Sequence, residues 1–361
     1  MIKEFRRLKK FWKNKKVFIT GHTGFKGSWT IIFLNILGAK ISGYSSQTKN
    51  KDSLYKKAKL KKFLEVSSFG DIRDYKKLKN NILRFKPDFI IHFAAQSIVG
   101  NSYSNPKKTF DTNINGAINI LDILKEINFV KVAIISTSYK IYDNQFFNTI
   151  AKTNSKFNNF EPYSISKICV DLICKSYNKS FFQKNSISLN TVRTSNLVGG
   201  GDYSDRLIPK YINFLPTNKK IKITDNAVRS WMHVIEAIYG YLLLLEKQYK
   251  KNIFFIDNSW NFVPKKKNHS SVLNVIKLLN IFFNKKIKSI INFSTSKKKY
   301  NFSNINSLKT KKFTSWSSLL SLSDTFELVS SWHKDVIKGN DILEVSRNQI
   351  FFYLNKIDKT K

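Results

Sequence analysis

The sequence predicts an α/β protein, a doubly wound parallel sheet with a smaller C-terminal lobe, and three observations carry that expectation. Short apolar runs alternate with helical patterns from Val17 to Val198. The first run breaks into Gly21, Gly24 and Gly27 and passes at once into the helical stretch SWTIIFLNILGAK. Beyond about Asn196 the alternation weakens into polar loops and scattered helices, the pattern of a smaller lobe over the sheet. Alternating strands and helices select a parallel sheet covered on both faces, with ligands at the carboxyl ends of its strands.

The first unit, VFITGHTGFKG, places a buried strand, a glycine turn and a helix N-terminus in that order. Such a unit is built to hold a dinucleotide pyrophosphate. Gly21 permits the tight turn, Gly24 lets backbone N–H groups approach phosphate, Gly27 lets the helix pack on the strand, and the helix dipole favours the anion. Residues 1–195 are therefore expected to form a Rossmann-type domain, with a return contribution from about 223–258, and residues 196–361 mainly a substrate-binding lobe. AKISGYS is the second strand, and after it Tyr44, Ser45, Ser46 and Gln47 stand where an acidic ribose ligand is usual. That position leaves NAD and NADP both open. A third strand ends at Gly70-Asp71, with the helix YKKLKNNILRFK before Pro87. PDFIIHFAAQ is a fourth strand, with a loop to Pro106 and a helix through NINGAINILDILKEI. KVAIISTS is a fifth and SLNTVRTSNLVG a sixth.

Composition narrows the function classes. The 361 residues are 42% hydrophobic and 14% aromatic, the profile of a globular protein. No apolar run approaches the roughly 18–20 residues that span a bilayer. The basic start MIKEFRRLKKFWKNKK leads into a strand rather than a signal-type apolar region, so no membrane insertion and a cytoplasmic location are expected. Cys169 and Cys174 lack metal-ligand spacing and read as core residues, with no metal expected. The net charge of +39 invites a nucleic-acid partner. None is expected, because the lysines are spread along the whole chain with no arginine-rich stripe or nucleic-acid module.

Tyr163 and Lys167 are four residues apart, on one face of a helix. A nearby ammonium favours the phenolate, which would let Tyr163 take a hydroxyl proton near neutral pH. The motif follows the fifth strand, whose end carries Thr137, Ser138 and Lys140. A serine hydroxyl there is placed to hydrogen-bond the same reacting oxygen.

FWKNKKVFITGHTGFKGSW, HFAAQSIVGNSY, EPYSISK, VRTSNLVGGGDYSDRLIP and VRSWMHVIEAIYGYLLL resemble, in order from Phe11 to Glu246, the signatures of CDP-glucose 4,6-dehydratases. These belong to the extended short-chain dehydrogenases/reductases, the NAD-dependent epimerases and dehydratases. The resemblance implies one tightly held NAD and a deoxysugar pathway for surface polysaccharide, with CDP-glucose the favoured nucleotide-sugar substrate. A homo-oligomer is expected. It further implies Ser138, Tyr163, Lys167 and Lys140 as catalytic residues. Gly21, Thr23, Gly24, Phe25 and Gly27 fall at the pyrophosphate, Asp71 and Ile72 near the adenine, and Ala94 and Ala95 beside the cofactor together with Tyr163 and Lys167. Gln96, Asn196, Arg206 and Arg229 fall around the substrate, where a guanidinium fork matches phosphate oxygens. His22, His92 and His233 lie inside matched motifs and are given structural roles.

Departures from the resemblance set the functional question. The family reads TSDKxY after the fifth strand, and its aspartate supplies the acid for the C6 hydroxyl. This chain has Thr137-Ser138-Tyr139-Lys140-Ile141-Tyr142. An ordinary phenol is a poor proton donor, and general acid catalysis is worth roughly 10² to 10⁴ in rate, so impaired dehydration is expected. Gly100 and Asn101 replace a basic pair, Thr194 and Ser195 replace AlaGly, and Ser230 replaces a proline. A nucleotide-sugar epimerase, a 4-oxidoreductase and a non-catalytic NAD-binding homologue stand as alternatives.

Overall fold

The computed structural model describes residues 2–47, 52–142, 150–153, 155, 159–183, 187–204, 206–217, 221–223, 227–251, 258–285, 289–291 and 304–360. The chain begins α1 (Lys3–Trp12), β1 (Lys16–Thr20), α2 (Phe25–Ile36), β2 (Lys40–Ser45), α3 (Leu54–Lys57), β3 (Val66–Phe69), α4 (Tyr75–Phe85) and β4 (Phe89–His92). It continues with α5 (Val99–Ser104), α6 (Pro106–Phe110), α7 (Gly116–Glu126), β5 (Val132–Ser136), β6 (Ile150–Ala151), α8 (Pro162–Tyr177), β7 (Ser188–Thr194) and β8 (Asn196–Val198). Then follow α9 (Leu207–Phe214), β9 (Ile221–Ile223), β10 (Val228–His233), α10 (Val234–Lys251), β11 (Ser259–Phe262), β12 (His269–Ser271) and α11 (Val272–Phe283). Last come β13 (Ser289–Ile291), β14 (Asn304–Ile305), α12 (Leu308–Thr314), α13 (Leu322–Ile337) and α14 (Ile342–Asp358).

Seven strands form one sheet in the order β11-β7-β5-β4-β1-β2-β3, and every pairing is parallel. The chain winds outward in both directions from β1, which is the doubly wound sheet the alternation predicts. Successive residues supply opposite faces. Val17, Ile19, Phe89, Ile91, Val132 and Ile134 enter a core shared with α1, α2, α10 and α14. Phe18, Ile90, Ala133 and Ile135 enter a second core shared with α4, α7 and α8. Burial on both faces explains why these strands read as unbroken apolar runs.

Two details differ from the expected strands. The run SLNTVRTSNLVG divides at Ser195: β7 stays in the large sheet, while β8 pairs with β10, itself paired with β12. The seventh strand, β11, comes from SWNF, beyond the alternating region, and extends the sheet past β7. A separate core gathers Val198, Tyr211, Trp231, Val275, Leu279, Phe326 and Val329 around β8, β10, α9, α11 and α13.

The basic start is a docked helix. The Asp358 carboxylate accepts from the backbone N–H groups of Lys3 (2.5 Å) and Glu4 (2.9 Å), while Arg7 bonds Glu246 at 2.8 Å. No helix among the described residues is long and apolar enough to cross a membrane. Cys174 is buried, but Cys169 is only partly so, because it occupies a neighbouring face of α8. Of the lysine- and serine-rich stretch between 265 and 325, residues 286–288 and 292–303 lie outside the described residues, as does Asp205 of the DRLIP motif.

Candidate active site

The sheet reverses its winding between β1 and β4, and the crevice beyond their carboxyl ends is where an open α/β sheet binds ligands. Gly21 follows β1 with φ +70, a left-handed conformation, and a Cβ there would lie 2.7 Å from the Ala94 nitrogen. A Cβ on Gly27 would meet the His22 backbone, at 2.7 Å from its Cα. Both positions need glycine. Gly24 is the N-cap of α2, with no side chain capping the helix's first turn. Those N–H groups lie at the positive end of the helix dipole, a cradle of the kind that accepts an anion.

The other expected cofactor residues surround this cradle. Thr23 Oγ1 shares a hydrogen bond of 2.8 Å with Ser45 Oγ, tying the glycine turn to the end of β2. Phe25 reaches toward Gly199. Ala94 donates to Thr20 Oγ1 at 3.2 Å, and Ala95 beside it is half-buried. The Asp71 carboxylate is held by Arg73, with Nη2 to Oδ2 at 2.6 Å, and Ile72 packs against Gly116. Tyr44 donates to the Asp71 carbonyl, so the residue at the usual ribose-ligand position is buried beside β3.

The catalytic candidates meet at the end of β5. The Ser138 hydroxyl lies close enough to the Tyr163 phenol to act on it. One turn along α8, Lys167 Nζ donates to the Ser136 carbonyl at 3.1 Å. Burial pushes the Tyr163 phenol up, while Arg206 and the Ser138 hydroxyl pull it back. Lys167 is itself drawn down to about 8 by burial, partly offset by Asp171.

Lys26 was missed by the motif reading. Its Nζ donates to Ser136 Oγ at 2.5 Å and lies 4.8 Å from the centre of the Phe93 ring. Burial, with Lys167 and Arg206 nearby, lowers it to about 7. A lysine inside an otherwise small and apolar glycine turn, GFKG, was the available signal. Lys26, Lys167 and Arg206 form a cluster of positive charge beside the cradle. Such a cluster disfavours its own protonation until anions arrive, and a dinucleotide pyrophosphate fits it.

The substrate candidates separate into two groups. Asn196 and Arg229 both lie close enough to the Tyr139 phenol to act on it, and the Asn196 amide nitrogen is buried without a hydrogen-bond partner among the described residues. Arg206 bonds Ser97 Oγ at 3.1 Å at the rim and faces Asp202 at 3.7 Å. Gln96 instead turns back into its own loop. Its Nε2 donates to the Ile98 carbonyl and Thr109, its Oε1 accepts from Ile98, and Asn113 clamps its backbone. Tyr139 is partly buried, and desolvation pushes its phenol up to about 12. Lys140 pairs with Glu161 at 3.3 Å. The hydroxyls of Ser195 and Ser230, two of the departures, are buried without a hydrogen-bond partner among the described residues.

His22, His92 and His233 are buried and lowered to about 4, 3 and 3 by burial. His22 packs over Gly43 and bonds Ser67, and His92 bonds Thr20 at 2.8 Å. Neutral, enclosed imidazoles of this kind serve packing. The segment Gly199–Asp202 closes over the cradle helix: Trp29 Nε1 donates to the Gly200 carbonyl at 2.9 Å. A Cβ at Gly200 would overlap the Trp332 indole.

A glycine cradle at the switch point and a Ser–Tyr–Lys constellation at the end of β5 define a nucleotide-cofactor enzyme of the short-chain dehydrogenase type. The NAD dependent epimerase/dehydratase family model matches residues 17–256, and the chain belongs to that family. NAD is accordingly its cofactor, and its activity is of the nucleotide-sugar dehydratase or epimerase type. The chain is 32% identical over 354 residues to a CDP-glucose 4,6-dehydratase of Salmonella typhimurium, covering 96% of this chain and 98% of that one. Its fold matches a UDP-glucose 4-epimerase of Thermotoga maritima with a TM-score of 0.75, at 18% identity, covering 89% and 99% of the two chains. A dTDP-glucose 4,6-dehydratase of Bacillus anthracis in complex with NAD matches with a TM-score of 0.73, at 19% identity and 91% and 99% coverage.

Proposed function

We propose that the chain is a nucleotide-sugar 4,6-dehydratase that converts CDP-glucose to CDP-4-dehydro-6-deoxyglucose and water. The observation that carries this reading is the similarity to a CDP-glucose 4,6-dehydratase along almost the whole of both chains. Tyr163, oriented by Ser138, takes the C4 hydroxyl proton. Lys167 holds the end of β5 in register with α8 through the Ser136 carbonyl. Bound NAD supplies the hydride acceptor and donor. With C4 a ketone, the C5 proton becomes acidic and the C6 hydroxyl leaves as water. The N–H groups after Gly24, together with Lys26, hold the cofactor's phosphates. Arg206 and Arg229 hold those of the substrate, where guanidinium forks match diphosphate oxygens.

Tyr139 favours a second reading. A phenol pushed up to about 12 keeps its proton at neutral pH, and a site without a C6 acid would stop at an epimerase or 4-oxidoreductase. Incubating the purified NAD-loaded protein with CDP-glucose and weighing the product by mass spectrometry tests the choice. The expected product is lighter by one water and carries a ketone. A sugar altered without loss of water establishes the second reading, and faster turnover of UDP- or dTDP-glucose removes the cytidine assignment.

A further inference from the structure

We propose that the Glu161–Lys140 ion pair performs the two proton transfers of water elimination, at C5 and at the C6 oxygen of the sugar. The proposal rests on the dehydratase reading above. Glu161 is the residue immediately before α8, so the backbone that presents Tyr163 presents this carboxylate as well. Its Oε1 accepts from Ser164 Oγ at 2.7 Å and meets Lys140 Nζ at 3.3 Å. Both contacts fall on one oxygen, and among the described residues no hydrogen bond falls on Oε2, the oxygen we assign to the substrate. The carboxylate acts electrostatically on Tyr139, Lys140 and Tyr163 alike, so it occupies the space where the sugar must react. Its side chain is 15% exposed, open enough to be reached yet shielded enough for its charge to matter.

The chemistry closes. With C4 oxidised, Glu161 Oε2 takes the C5 proton, and the freed electron pair forms the C5=C6 double bond. The C6–O bond breaks as the Lys140 ammonium gives its proton to the departing oxygen, which leaves as water. Glu161, its proton exchanged with solvent, delivers a proton to C5 as the hydride that left C4 arrives at C6. The proton first taken by Tyr163 resets Lys140 through solvent. Burial lowers Lys140, opposed by the paired Glu161 carboxylate and aided by the charges of Arg229 and Arg206. Protonation of Glu161 during the reaction removes the opposing pull and makes the ammonium the readier donor. Tyr139 then need not act as an acid, and its partly buried ring, packed beside Ile141 and Tyr142, serves as a wall.

The test uses the full NAD-loaded chain, CDP-glucose and heavy water. In the wild type, water loss with deuterium entering at C5 is expected. Glu161→Gln is expected to slow water loss about 100-fold. Absorbance of reduced nicotinamide should build up in that variant, because Ser138 and Tyr163 still oxidise C4. Glu161→Asp should recover part of the rate. The proposal is overturned if Glu161→Gln loses water within threefold of the wild-type rate, or if it loses C4 oxidation in equal measure. A wild type that reduces the nicotinamide but releases no water overturns the dehydratase reading itself, whereas normal water loss in both proteins overturns only the role of the pair.

Discussion

Tyr163 is the residue on which the hydride chemistry turns, and its setting is less permissive than its spacing from Lys167 implies. The phenol sits above its ordinary 10.0 because burial outweighs the pull of Arg206 and the Ser138 hydroxyl. Tyr163→Phe removes the proton acceptor while keeping the ring, so turnover of CDP-glucose should fall at least about 100-fold, with NAD still retained through gel filtration. Near-normal turnover in that variant would end the assignment. The glycines and the tyrosine were legible in the sequence because each answers a local demand: a left-handed turn at Gly21, a close approach at Gly27, a shared helix face for Tyr163 and Lys167. Lys26 and Glu161 were not. Their significance lies in partners reached through the fold, Ser136 for one and Lys140 for the other, and nothing in the local pattern separates them from the many other charged residues of a chain with net charge +39.

At the scale of elements, α8 must be held in place for Tyr163 to stay beside Ser138. The fastening is a fully buried ion pair. Asp171 on α8 takes Arg193 of β7 through two bonds, Nε to Oδ2 at 3.1 Å and Nη2 to Oδ1 at 3.0 Å. Arg193 also donates to Tyr142 Oη at 2.6 Å, and Tyr142 donates to Asn261 at 2.7 Å. The network thus ties the catalytic helix, the turn after β5 and the edge strand β11 together. Removing one partner of a buried pair strands the other charge, so Asp171→Asn should cost about 3–5 kcal/mol in urea unfolding. The double variant Asp171→Leu with Arg193→Met should recover most of that loss. The alternating strands were predictable from their apolar runs, but the departure of β8 and the arrival of β11 were not. Both depend on what lies across the sheet rather than along it.

For the whole molecule, the histidines set the response to acid. All five, His22, His92, His233, His269 and His333, are lowered by burial to about 3 or 4. The unfolded chain takes up protons near 6.5 while the folded one does not, so the stability these groups confer is present above 6.5 and is lost as pH falls toward 4. Glu236 runs the other way. Burial raises it from 4.5 to about 7, against the backbone bonds it accepts from Leu319 and Leu320, so its contribution is full below 4.5 and lost as pH rises through 7. Five groups outweigh one. The melting temperature should climb between about pH 5 and 6.5, with Glu236 opposing part of the climb, so Glu236→Gln should steepen it. A melting temperature flat between pH 5 and 6.5 would contradict the histidine assignment.

Gly200 joins these scales mechanically. Its carbonyl is gripped by Trp29 of the cradle helix, and the face where a side chain would stand is filled by Trp332 of α13, which is bonded in turn to Ser346 of α14. The glycine segment is therefore a pinned joint with no slack. A shift of as little as a methyl's width at this segment must push the Trp332 indole, so helices that carry none of the chemistry bear the load of any motion at the mouth of the site.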